Sequence, residues 1–220
     1  RMEKLSAIVL AGDRPDNRKA RPSLPNVFTE IAGIPSLNRV IGTLSSCNYI
    51  SKIFLVGPRI KEKNNSKMMN KLLDQKNVKY VEPQSGPSES AAKAFHAQAG
   101  PALLTTADHA LLNNKIIGDF LQISSKTNAD LIVGLVPFRR VKDSYPDSKR
   151  TQLRFKGVSF CGSNLFLLKT QSCSNALNFW TEMESIRKTP WKIVNQFGFF
   201  YLIKYKLGML TIREAFNVLS

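Results

Sequence analysis

"LSAIVLAGDRPDNRKARPSLPN", residues 5–26, decides how the rest of the chain is read. Its first part, "SAIVLAG" (6–12), is a short unbroken apolar run ended by Gly12, the pattern of a strand buried on both faces. The run passes straight into a loop crowded with Arg, Asp, Asn and Pro. Strands of this kind belong to parallel sheets covered by helices, and open α/β sheets bind ligands at the carboxyl ends of those strands. Gly12 is expected to let the backbone turn closely after the strand. Arg14, Arg18, Lys19 and Arg21 are placed to surround a triphosphate through charge-assisted hydrogen bonds. The loop has neither G-x-x-x-x-G-K-[ST] nor G-x-G-x-x-G, so it is neither a Walker A loop nor a dinucleotide fingerprint.

Outward from this stretch, strand and helix patterns alternate. "PSLNRVIGTLSSC" (35–47) reads as a helix with Pro35 in its first turn, and "KIFLVG" (52–57) as a second buried strand. A Lys/Asn-rich solvated helix over 61–77 follows, then strand-like "VKYVEP" (78–83). "PSESAAKAFHAQAG" (87–100) reads as a helix with Ser88 as N-cap and Gly100 as its stop. "PALLTTAD" (101–108) and "DLIVGLVPF" (130–138) are further core strands, with a helix at 113–126 between them. This rhythm predicts a Rossmann-like three-layer α/β/α fold around a mostly parallel sheet. After residue 138 the pattern changes to a long loop, short antiparallel strands, "NLFLLK" (164–169) as a strand, and helices at 172–188 and 211–219. The reading is one domain over 1–220, with a nucleotide-binding half (1–138) and an acceptor-side, partly helical part (139–220).

Composition narrows the classes. The 220 residues are 43% hydrophobic with ordinary charge content, which fits a packed globular core and excludes disordered and fibrous classes. Three separated cysteines form neither a metal pair nor a disulfide framework, and no leader pattern opens the chain; both point to the cytoplasm. The net charge of +16 points to an anionic partner, with a solvated Lys-rich surface as the alternative. The cations are scattered rather than set in one stripe, so no specific nucleic acid is expected. The segment "PWKIVNQFGFFYLIKYKLG" is too interrupted to span a membrane, leaving an interfacial helix or a packed helix pair.

Asp108, at the end of "LLTTAD", is the main candidate for chemistry. A carboxylate at the mouth of a sheet can hold Mg²⁺, whose sites use one or two protein carboxylates and complete the shell with water and substrate phosphates. The alternative is an N-cap for the next helix. His109 reads as a structural hydrogen-bonding neighbour.

Taken in order, "AIVLAG" with its basic loop, "IAGIPSLNRVIGTL", "LLTTADHALL", "YPDSKRTQLRF" and "GSNLFLL" resemble the MobA-like nucleotidyltransferases, and more closely a bacterial subgroup with a MobA-like NTP transferase domain. The resemblance runs over essentially the whole chain. It implies a nucleotide-diphospho-sugar transferase (GT-A-like) fold that transfers NMP from an NTP to a phosphorylated small-molecule acceptor, releasing pyrophosphate. By position, Leu10, Ala11, Gly12 and Arg14 would line the nucleotide, with Ser88 and Ser90 helping to hold it. Asp108 would bind Mg²⁺, with Arg14 and Arg21 as catalytic cations. Arg150, Arg154, Gly162 and Asn164 would face the acceptor.

Two departures from the family pattern stand out. Aligned on "IAGIP", Asn26 occupies the place where the family carries a Lys contacting the NTP phosphates. The family's second metal-binding Asp, in a D-x-D context on a final strand, has no counterpart in these residues, so the sequence reads as shortened at its C-terminus. The expected function is Mg²⁺-dependent nucleotidyl transfer, weakened by these losses. The alternatives are a nucleotide-binding protein without catalysis and a basic peripheral membrane or nucleic-acid binder. The acceptor, the base and the oligomeric state stay open.

Overall fold

The computed structural model describes residues 4–12, 26–59, 69–186 and 199–219. The chain forms two compact units, one of residues 1–132 with 164–181 and one of 133–163 with 182–220.

In the first unit, β1 (Leu5–Leu10) lies between two parallel partners, β4 (Ile50–Val56) and β6 (Ala102–Thr106). β5 (Val78–Val81) extends the sheet parallel to β4, and residues 165–168 of β9 (Val158–Leu168) pair antiparallel with β6. The order β5-β4-β1-β6-β9 puts the first strand of the sequence at the centre. Successive side chains of a strand point to opposite faces, so these apolar runs feed two cores at once. Ala7, Val9, Ile53, Leu55 and Leu103 join Leu37, Ile41 and Leu44 of α1 (Ser36–Ser46) and Ile117 and Leu121 of α3 (Asn114–Ser124). Ile8, Phe54, Val56 and Leu104 join Ala91, Ala94 and Phe95 of α2 (Pro87–His96) and Leu177 of α5 (Cys173–Ile186). Helix layers on both faces therefore give the three-layer α/β/α arrangement with a mostly parallel sheet. Each fully buried Leu or Ile contributes about 1.5–3 kcal/mol to holding it.

Helix starts correct three local readings. The N-cap of α2 is Gly86, with Pro87 at the first helical position, so Ser88 lies inside the helix and is buried there. The N-cap of α3 is Asn113, whose side-chain oxygen accepts the Ile116 N–H at 2.9 Å. Asp108 is therefore not a helix cap. β6 ends at Thr106, so Asp108 sits two residues beyond the strand rather than closing it. Of the helix read over 61–77, residues 69–73 are helical and 61–68 lie outside the described residues.

A small antiparallel hairpin, β2 (Glu30–Ile31) and β3 (Ile34–Pro35), precedes α1. Its turn needs positive φ at both central residues, Ala32 (49°) and Gly33 (73°). The Arg39 guanidinium holds it by donating to the Ile31 and Ala32 carbonyls.

In the second unit, the loop expected after residue 138 is instead a short helix, α4 (Phe138–Ser144), which follows the end of β7 (Leu131–Pro137). Lys142 Nζ donates to the Pro146 carbonyl at 2.6 Å and the Ser148 carbonyl at 3.2 Å, folding the Pro- and Ser-rich segment back on the helix. β8 (Leu153–Phe155) pairs antiparallel with the first part of β9 across Gly157, whose φ of 77° suits the turn. Phe155 meets Tyr205 of α6 (Phe199–Lys206) edge-on at 6.5 Å.

The last helix, α7 (Ile212–Leu219), opens with a reciprocal capping box in "TIRE". Thr211 N–H donates to Glu214 Oε2 at 2.9 Å, and Glu214 N–H to Thr211 Oγ1 at 3.2 Å. Lys204 of α6 pairs with the other Glu214 oxygen at 2.6 Å. The Lys204 hydrogen bond, helped by those from Thr211, lowers the Glu214 pKa from 4.5 to about 2. A depressed carboxyl stabilises the fold above its unfolded pKa and loses that contribution as pH falls through the folded one. Urea unfolding is therefore expected to show wild type more resistant than Glu214→Gln at pH 6, with the gap closing between about 4.5 and about 2.

Candidate active site

The carboxyl ends of the parallel strands gather the residues of interest in the first unit. Ala11 N–H donates to the Val56 carbonyl at 2.8 Å, and Ala107 N–H to the Leu10 carbonyl at 2.9 Å. The ladder is thus continued beyond β1 and β6, and Gly12 and Asp108 are the first exposed residues past it on these neighbouring strands. Ser36, buried at the start of α1, donates to the Ala107 carbonyl at 2.7 Å and fixes the turn that carries Asp108.

Asp108 projects from this turn as an exposed carboxylate, with one oxygen accepting from Thr106 Oγ1. Thr105 is wholly buried, and its hydroxyl donates to the Asn164 carbonyl at 2.9 Å. Having one proton, that hydroxyl accepts from His109 Nδ1 at 3.2 Å, which places a proton on Nδ1. His109 is thereby a structural partner, as its position in the sequence suggested. Asn164 takes φ 56°, the left-handed region that Asn tolerates better than most residues.

A Cβ at Gly12 would meet none of the described residues within 4 Å, and another glycine of this corner is the one held at a close approach. It is Gly57. Its φ is 82°, and a Cβ there would stand 3.3 Å from the Ala11 carbonyl carbon and the Gly12 nitrogen. The turn after β4 therefore packs directly on the turn after β1. Tyr80 closes the same corner, its hydroxyl within 2.8 Å of Glu82 Oε2 and 3.1 Å of the Pro58 carbonyl. Burial, then the Glu82 carboxylate beside it, pushes the phenol well above its ordinary range. Arg59 follows, exposed, with Nη2 3.5 Å from the Gln84 carbonyl.

The loop into α2 is fixed by Ser90, whose Oγ accepts the Gln84 N–H at 2.9 Å and donates to the Gly86 carbonyl at 2.7 Å. Ser90 thus shapes the loop through its backbone, while Ser88 is buried in the helix's first turn. Arg14 and Arg21, with Arg18 and Lys19, lie outside the described residues.

Arg150, Arg154 and Gly162 lie in the second unit. Arg150 Nη1 donates to the Gly162 carbonyl at 2.6 Å, so these two residues meet each other. Arg154, held at Nε by Gln152 (3.1 Å), lines an open groove of about 520 Å³ with Arg139, Phe155 and Val158. Asn164 belongs to the first unit.

Ser36, Gly57, Thr105, Arg59 and Tyr80 were not singled out from the sequence. Only "VGPR" carried a signal, since Gly-Pro after a buried strand marks a tight turn. The long-range partners of Ser36 and Thr105 left none.

Among the described residues no three His, Cys, Asp or Glu side chains cluster to hold a metal. A single exposed carboxylate fits Mg²⁺ in the form that keeps waters and substrate phosphates as its other ligands. It does not fit a closed structural metal centre.

Central parallel strands with helices on both faces define a three-layer α/β domain. The family model of the MobA-like NTP transferase domain matches residues 7–185, and the chain belongs to that family. No curated protein matches the sequence significantly. A structure described as a hypothetical transferase from Thermus thermophilus is 24% identical with a TM-score of 0.78, covering 98% of this chain and 87% of its own. A 4-diphosphocytidyl-2C-methyl-D-erythritol synthase from Anaerococcus prevotii is 12% identical with a TM-score of 0.57, over 82% of this chain and 77% of its own. A CMP:2-keto-3-deoxy-manno-octonic acid synthetase, complexed with CTP, is 8% identical with a TM-score of 0.57, over 87% and 85%. At such identities these structures share the fold alone.

Proposed function

We propose that this protein transfers NMP from an NTP to a phosphorylated small-molecule acceptor, releasing pyrophosphate, and that it does so slowly. The observation that carries the reading is Asp108, exposed past β6 and stitched by Ala107 to the end of β1. The backbone at Leu10, Ala11 and Gly12 would receive the nucleotide, with the α2 loop shaped by Ser90 forming one wall. Arg14 and Arg21 would neutralise the phosphates, and Asn164, in the same unit, would help orient the acceptor. Asp108 would hold Mg²⁺, which when bound supplies charge neutralisation to phosphate oxygens. Phosphoryl chemistry of this kind rests mainly on positioning and charge stabilisation. Asn26 at the expected Lys position removes one stabilising charge, so binding is expected to outlast turnover. The three cysteines are free and buried, which suits a reducing cytoplasm.

A thermal-shift panel of the four NTPs with and without Mg²⁺ tests this. A ligand of the native state raises the melting temperature by mass action. The expected result is a shift with at least one NTP that grows with Mg²⁺. No shift with any of the four would refute nucleotide binding and, with it, transfer.

A further inference from the structure

The second unit carries an apolar surface that its own core does not absorb. Of the fifteen large apolar side chains exposed among the described residues, nine belong to this unit, and only Cys161 and Leu210 of its described apolar residues are buried. Five of the nine lie on or just after α6: Phe200, Tyr201, Ile203, Leu207 and Met209.

Their spacing sorts the helix into two faces. At about 100° per residue, Phe200, Ile203 and Leu207 fall on one side, and Leu202 and Tyr205 on the other. The Tyr205 side is occupied, since that ring packs on Phe155 of β8. The opposite side is open: Phe200 is 64% exposed, Ile203 39% and Leu207 66%. Lys204, paired with Glu214, lies on the same side with Nζ 4.9 Å from the Phe200 ring centroid, and the exposed Lys206 adjoins Leu207 as the free cation of this border among the described residues. No helix among the described residues is long and apolar enough to cross a membrane, so this face can at most lie in an interface.

Charge selects the occupant. The unit holds 13 Lys and Arg against 5 Asp and Glu, a formal +8 on 70 residues, half of the chain's +16 on about a third of its length. Two copies of so positive a surface would repel one another. An apolar helix face bordered by lysines lies in the headgroup region of a bilayer, drawn there by anionic lipid. We propose that the α6 face docks this protein on an anionic membrane surface, with Phe200, Ile203 and Leu207 entering the interface and the surrounding cations meeting the headgroups. Nucleotide binding by the first unit plays no part in this inference.

Vesicle co-sedimentation of the full chain tests it, using phosphatidylcholine alone and phosphatidylcholine with about one quarter phosphatidylserine, at about 0.15 M salt. The expected result is binding to the anionic vesicles and little to the neutral ones. F200E/L207E is expected to lower that partition by about tenfold or more. Both residues are exposed, and unchanged far-UV circular dichroism would verify the fold. I31E/I34E, with the same charge change on exposed residues of the first unit, is expected to retain binding. Absence of binding to anionic vesicles would overturn the proposal. So would a partition lowered equally by both double variants, which would reduce the effect to net charge. A dimer in sedimentation velocity that F200E/L207E dissolves would assign the face to a second copy instead.

Discussion

Asp108→Asn is expected to abolish the Mg²⁺-dependent part of NTP binding and leave the fold intact. The two halves of that result have separate causes. Asp108 is exposed, and among the described residues its side chain accepts a hydrogen bond from the Thr106 hydroxyl, which an Asn oxygen accepts equally well. Substitutions at such a surface position usually change stability by no more than about 0.5 kcal/mol. The helix that follows is capped by Asn113, so no cap is lost. The metal is another matter. Asn offers a neutral oxygen where a hard divalent cation wants an anionic one, and among the described residues no cluster of three His, Cys, Asp or Glu side chains stands by to compensate. Affinity for the Mg²⁺ complex of the best NTP is expected to fall by about ten- to a hundredfold, the range for a hydrogen bond or contact to a charged group. Without Mg²⁺ the variant and wild type should bind alike, or the variant slightly better, because a carboxylate repels phosphate. Calorimetric titration in the presence and absence of Mg²⁺ separates these terms. A variant that loses both equally would place Asp108 outside the metal site.

The same residues show where sequence reading reaches and where it stops. The central strands were legible because burial on both faces leaves an unbroken apolar run, as in "SAIVLAG" and "KIFLVG", and their parallel sheet followed from the alternation with helices. Asp108 was legible as the first carboxylate after such a run. Its two-residue displacement from the strand was not, since a strand end is set by its last paired residue. Gly12 was read as letting the chain turn closely, and Gly57 was passed over. Both glycines follow buried strands, and only the approach of one turn to the other reveals which cannot carry a Cβ. Thr105 and Ser36 read as ordinary polar residues, because their partners, Asn164 and Ala107, are 59 and 71 positions away. α4 was hidden by the Pro, Asp and Ser residues that follow it, which read as loop and in fact fold back through Lys142.

Asn26→Lys is expected to tighten triphosphate binding and to speed pyrophosphate release from a low base. Position 26 opens a single turn of 3₁₀-helix, Asn26–Phe28, and the next two residues, Val27 and Phe28, are buried in the core beside α1. Thr29 then accepts the Ser36 N–H at 3.0 Å, tying the segment to the start of that helix. The backbone at 26 is therefore anchored where the opening loop returns to the core, and a Lys placed there would carry its charge from a fixed base. Arg18, Lys19 and Arg21 precede it in the sequence. One added charge in a partly solvated site is expected to strengthen NTP binding by about three- to tenfold, declining as salt is raised. The effect on rate should be larger than the effect on binding. Charge builds on the transferring phosphoryl group only as the reaction proceeds, and losing one preorganised donor to such charge typically costs about 10²–10³ in kcat. With a panel of phosphorylated acceptors, wild type is expected to release pyrophosphate barely above background and Asn26→Lys about ten- to a hundredfold faster. Combining Asn26→Lys with Asp108→Asn should cancel most of the gain, because residues acting on one transition state are not additive. Rapid release by the wild-type chain, unchanged in Asn26→Lys, would mean that a cation of the opening loop already performs the missing lysine's task.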